Sequence, residues 1–277
     1  MAILLVVAKE QTTLPKACNA IKKLEKKLDK LAQNLENLTA LIRKTSTPGI
    51  PASSCKELYD NHGLTTSRVY TLKFDSHKFS VYCHMGDFGC GDGRWTMAMK
   101  IDGTKKTFHY DSHLWSDKNP YNIAGARTGF DSQETKLPSY WKTPFSKICL
   151  GMKIGHKIRF FTIYKHANSL HSLIADGQYR ATSLGRITWK SLIGPQASLQ
   201  KYCNKEGFNA ICSDKLQSKA RIGITSNELN DCVLCDSRIG FGTGGHSDDT
   251  NTCGNEAKFS PDNGNKHIKT MGYILVQ

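Results

Sequence analysis

The chain has 277 residues, 39% of them hydrophobic, which suffices for a packed core and excludes a disordered or low-complexity protein. Its longest apolar run, Ala2 to Ala8, is far short of the roughly 18 residues that span a bilayer, so no membrane span is expected. Lys and Arg outnumber Asp and Glu by 38 to 24, but the net charge of +14 is spread thinly along the chain and does not form the basic arm of a zipper-type nucleic-acid binder.

Taken in order, residues 1–16 read as a partial secretory signal or N-terminal tail, with the apolar run ahead of Lys9 as its core. Residues 17–44 carry Ala17, Ile21, Leu24, Leu28, Leu31, Leu35, Leu38 and Ile42 at alternating spacings of four and three, the period of a coiled-coil seam. Ile21, Leu28, Leu35 and Ile42 fall at a, and Ala17, Leu24, Leu31 and Leu38 at d. The expected partner is therefore self, as a dimer or trimer, and leucine at both positions leaves the number open. Cys18, at the mouth of the seam, is the candidate for an interchain disulfide. Asn37 opens an Asn-Leu-Thr sequon and falls at c, facing solvent, so a glycan there leaves the seam intact.

Residues 45–54, with two prolines, a glycine and no charge, read as a linker, and a globular domain is expected over 55–277. Short alternating runs predict strands: Val69–Phe74 and Phe79–Met85 as a hairpin about residues 75–78, Arg94–Ile101, then Ile148–Ile154 and Lys157–Tyr164 about Gly155-His156. Ala220–Thr225 and His267–Val276 complete the set. Ten cysteines, five of them in the last 75 residues, point to an oxidising compartment and a secreted, extracellular protein. If Cys18 bonds another chain, nine remain, so at least one more must be free or intermolecular.

Ser54-Cys55-Lys56-Glu57-Leu58, the hairpin ending Val81-Tyr82-Cys83-His84-Met85, and Gly91-Asp92-Gly93-Arg94-Trp95-Thr96 resemble the opening of fibrinogen-like domains. Ile101-Asp102-Gly103-Thr104, Phe108 and Trp115 extend the resemblance over roughly 54–120. It implies a Cys55–Cys83 disulfide and a core role for Trp95. Toward the C-terminus the usual calcium loop of that family is missing, and the segment from Cys232 through Cys235 and Gly245 to Cys253-Gly254 is similar to the glycine- and cysteine-rich end of intelectin-type lectins. The whole chain also resembles skeletal organic matrix proteins of stony corals, which implies secretion into a calcified matrix. The expected fold class is α+β: a coiled-coil helix, then a disulfide-rich, strand-and-loop fibrinogen-like domain.

Between Glu228 and Asp262 seven acids face two basic residues, an acidic island in a basic chain. Calcium takes six to eight oxygen ligands, and Asp248, Asp249, Asn251 and Asp262 lie in a glycine-broken stretch able to supply some of them, so calcium is the candidate cofactor. Cys232-x-x-Cys235 invites a zinc reading with Cys203, Cys212, His246 or His267, but no second such pair stands at the usual interval, and neighbouring cysteines in a secreted chain commonly join different disulfides. Gly240-x-Gly242-x-x-Gly245 matches a dinucleotide fingerprint only formally, because polar loop residues follow it. With no Gly-x-Ser-x-Gly or His-Glu-x-x-His present, the expectation is a non-enzymatic matrix protein that binds glycans or matrix components. A soluble calcium-dependent innate-immune lectin is the alternative.

Overall fold

The computed structural model describes residues 18–38 and 51–277, which belong to two compact units, Met1–Gly49 and Ile50–Gln277. The apolar run near the N-terminus, the seam positions Ala17 and Ile42, and most of the linker lie outside the described residues. Residues 18–38 form one helix, α1. The segment contains neither glycine nor proline and is rich in leucine and lysine, which lose little on entering a helix. At about 1.5 Å per residue it is about 31 Å long. Ile21, Leu24, Leu28, Leu31, Leu35 and Leu38 are all 54% to 70% exposed along it.

In the second unit, helix α2 (Cys55–His62) opens on Ser54, whose hydroxyl accepts from the backbone N–H of Glu57, and closes on Gly63 at φ 61°. Two antiparallel sheets follow. The first contains β1 (Arg68–Phe74), β2 (His77–Met85), β3 (Arg94–Asp102), β4 (Thr135–Lys136), β5 (Phe145–Ile154), β6 (Lys157–Ala167) and the last strand, β13 (Met271–Val276). Its order is β1-β2-β3-β13-β5-β6, with β4 paired to β3. The second contains β7 (Arg180–Ala181), β8 (Tyr202–Ile211), β9 (Lys219–Asn227), β10 (Ser237–Gly244), β11 (Cys253–Ala257) and β12 (Lys266–Lys269), in the order β12-β11-β10-β9-β8-β7. Short helices α3 (Ser139–Lys142), α4 (Leu170–Ile174) and α5 (Arg186–Ser191) lie in the connections. Among the described residues no helix is long and apolar enough to cross a membrane.

Two details differ from the sequence expectation. The first hairpin turns in two residues instead of four, because Phe74 pairs with His77 and Asp75 adopts φ 54°, a conformation aspartate tolerates. The single strand expected over 267–276 is two strands in different sheets. Thr270 sits at the break, donating its N–H to Cys253 O and accepting from Gly103 N–H, so the chain passes from one sheet to the other there.

Ile148, Leu150 and Ile274 of the first sheet and Phe208, Ile222, Ile239 and Phe241 of the second share one buried cluster. A second cluster gathers Cys55, Leu58, Leu72, Val81 and Trp95. Four disulfides tie the unit together: Cys55–Cys83, Cys90–Cys149, Cys203–Cys232 and Cys212–Cys235. The Cys90–Cys149 link spans 59 positions and on the chain-entropy model contributes about 4 kcal/mol through the unfolded state.

Four glycines stand side by side across the second sheet, because Gly207 pairs with Gly223, Gly223 with Gly240 and Gly240 with Gly254. A Cβ on Gly240 would lie 2.6 Å from the carbonyl oxygen of Ile222, a backbone atom that has no room to yield. Gly240→Ala is therefore expected to destabilise the unit by about 1–3 kcal/mol, read as a lowered midpoint in thermal unfolding.

Candidate metal centre

The register of the second sheet builds this site. Arg238 on β10 pairs with Glu256 on β11, and Glu256 pairs with His267 on β12, so their side chains stand in a row on one face. Ile239 and Phe241 point into the shared core, which by strand alternation places Arg238 on the opposite face. The connection between β10 and β11 folds over that face and brings Asp248 to the row. His267 Nδ1 lies 2.7 Å from Glu256 Oε2 and 3.0 Å from Asp248 Oδ2. One ligand atom from each of Asp248, Glu256 and His267 falls within 4.8 Å of the others.

Burial differs sharply within the trio. The Glu256 side chain is 1% exposed, whereas the imidazole of His267 is half exposed and opens the site to solvent. Asn251, itself 1% exposed, donates from Nδ2 to Glu256 Oε2 at 3.4 Å, while its Oδ1 has no hydrogen-bond partner. Partial burial pulls the Asp248 carboxyl upward, but hydrogen bonds from Thr250 and the charges of His267 and Lys269 leave it below the ordinary carboxylate range.

Arg238 holds the connecting loop in place. Its guanidinium donates to the carbonyls of Gly245, His246, Asp248 and Asn251 and to Ser218 Oγ. Burial pulls its pKa down to about 10, against the opposing charges of Glu256, Asp248 and Asp249, so it remains a cation at neutral pH.

The four residues singled out as calcium ligands go to different places. Asp248 belongs to the trio and Asn251 borders it. Asp249 turns to His109 Nε2 at 2.8 Å and accepts the Gly245 N–H at 2.6 Å. Asp262 is held by Arg186 and Lys190 at 2.8 and 2.7 Å, so its charge is already answered by two cations. Glu256 and His267 complete the cluster in their stead. Both were visible in the sequence, one in the acidic island and one among the histidines considered for zinc, but only the β11–β12 register joins them. Cys203, Cys212 and Cys235 also cluster, with Cys203 and Cys235 sulfurs 3.9 Å apart. All three are consumed in disulfides, and Cys232 and Cys235 join different ones. Gly240, Gly242 and Gly245 lie on and just beyond β10, with no helix after them to meet a phosphate.

Of the cysteines outside disulfides, Cys18 is exposed on α1 and Cys253 is buried, its thiol pushed up to about 12 by that burial. Asn37 is exposed on α1. Trp95 is fully buried. No protein-family model matches the chain, and no curated protein matches it.

Proposed function

We propose that the chain is a secreted, non-enzymatic extracellular-matrix protein, of the kind found in the organic matrix of a biomineral. It self-associates through the coiled coil of residues 17–44 and presents a fibrinogen-like unit that binds glycans or matrix components. The observation that carries this reading is the exposed leucine stripe of α1, an a/d seam that one chain leaves in water. Four disulfides in the other unit suit an oxidising compartment. Multiplying weak glycan contacts by self-association raises avidity without new contacts.

Light scattering of the full chain at micromolar concentration is expected to give two or three times the 30.8 kDa of one chain. The double variant Leu28→Lys with Leu31→Lys, which places charge at one a and one d position, returns it to a monomer. Cys18→Ser removes any covalent multimer on a non-reducing gel while leaving the mass in solution multimeric. A monomeric wild-type chain overturns the reading.

A soluble calcium-dependent lectin is favoured by one observation, the carboxylates of Asp248 and Asp249 in the loop that follows the glycine-rich strand. Binding to defined sugars on a glycan array that is lost to chelator and restored by added calcium supports that role. Binding indifferent to both supports the matrix role.

A further inference from the structure

We infer that Asp248, Glu256 and His267 hold one divalent transition-metal ion of the zinc class, with Asn251 Oδ1 as a fourth donor. Neither self-association nor glycan binding enters this inference, and their tests use no zinc, so each fails separately.

Three observations carry it. The first is charge. Arg238 faces three carboxylates, Glu256, Asp248 and Asp249, and supplies one positive charge. The innermost carboxylate, Glu256, is almost wholly buried and shares the His267 imidazole with a second carboxylate, Asp248. Two carboxylates held this close, one of them buried, repel each other, and a cation coordinated between them removes that cost.

The second is Asn251. Its Nδ2 touches Glu256, and the amide oxygen lies about 2.2 Å from that nitrogen by covalent geometry. That amide oxygen is buried with no hydrogen-bond donor to satisfy it. Buried polar atoms are rarely left this way, and a cation at the trio satisfies it.

The third is donor type and spacing. An imidazole nitrogen with two carboxylates suits zinc, whereas calcium takes six to eight oxygens, more than Asp248, Glu256 and Asn251 supply. Tetrahedral zinc at about 2.0–2.1 Å from each ligand separates neighbouring ligand atoms by about 3.3 Å. His267 Nδ1 is 2.7 and 3.0 Å from its two carboxylate neighbours, so a shift of a few tenths of an ångström converts hydrogen-bonding distances into coordination. The half-exposed imidazole provides the entry path.

The test uses full-length, tag-free protein, stripped with chelator and dialysed against zinc chloride, with calcium chloride in parallel. One zinc per chain is expected, unaffected by equimolar calcium, and cobalt in its place should show the visible bands of a four-coordinate site. His267→Ala, whose side chain is half exposed and so leaves the fold intact, should weaken zinc binding at least about tenfold. Glu256→Gln should do the same, with its unfolding midpoint measured alongside; if it fails to fold, His267→Ala alone decides. No retained zinc, zinc undiminished in His267→Ala, or displacement by equimolar calcium overturns the inference.

Discussion

Replacing Arg238 with methionine is expected to lower the stability of the 50–277 unit by about 3–5 kcal/mol, the usual consequence of removing one partner from a buried charge group. Methionine fills much of the volume but donates nothing. The carbonyls of Gly245, His246, Asp248 and Asn251 would all lose a donor they share, and Glu256 and Asp248 would lose their buried counter-charge. Arg238→Lys separates these effects, since it keeps the charge but offers one nitrogen where the guanidinium spans four carbonyls. It should recover only part of the loss. Thermal unfolding reads the total, and amide exchange over residues 245–252 reads the loop. Both variants falling within about 1 kcal/mol of wild type would show that the loop does not depend on the guanidinium.

This dependence explains why the site was only half legible in the sequence. The acidic island marked the right region, because a local excess of carboxylates is visible without a fold. Proximity along the chain alone groups Asp262 with Asp248. In space Asp262 is drawn away by Arg186 and Lys190, more than 70 positions earlier. His267, 11 positions from Glu256, is brought to it by strand pairing. Side chains from separate strands converge through register, and nothing in the local pattern records it.

The fold divides in a similar way. β1, β2, β3, β5 and β6 announce themselves by alternation or by β-branched and aromatic content between turn residues. Strand β10 does not, because Gly240, Gly242 and Gly244 occupy its non-core face and give no alternating signal, although every residue of the strand is buried. Loops cover that face, and small residues let them approach closely: a Cβ on Gly244 would lie 2.4 Å from the His109 ring. The heptad stripe is the converse case. Its spacing is plain in the sequence and α1 is helical over 18–38, yet helix formation is a property of one chain and does not test a seam between chains.

Acid should unfold the globular unit earlier than its carboxylates alone would require, because of His84. This imidazole, 8% exposed on β2, stacks on Phe130 at 4.0 Å between ring centroids and also meets Phe88 and Tyr82. Burial, aided by the charge of Lys100, lowers its pKa from 6.5 to about 4. Lys100 is itself fully buried against Asp131, so the neighbouring charge cannot move away. The folded state thus binds its proton less readily than the unfolded state does. Stability from this group is complete above pH 6.5 and declines as pH falls toward 4, by about 3 kcal/mol in all at 1.36 kcal/mol per unit. His84→Phe keeps an aromatic ring against Phe130, removes a buried nitrogen that has no hydrogen-bond partner, and cannot titrate. Its unfolding midpoint at pH 7.5 should match or exceed wild type, and between pH 6.5 and 4.5 it should fall much less steeply. A variant that follows the wild-type profile through that interval would assign the acid sensitivity elsewhere.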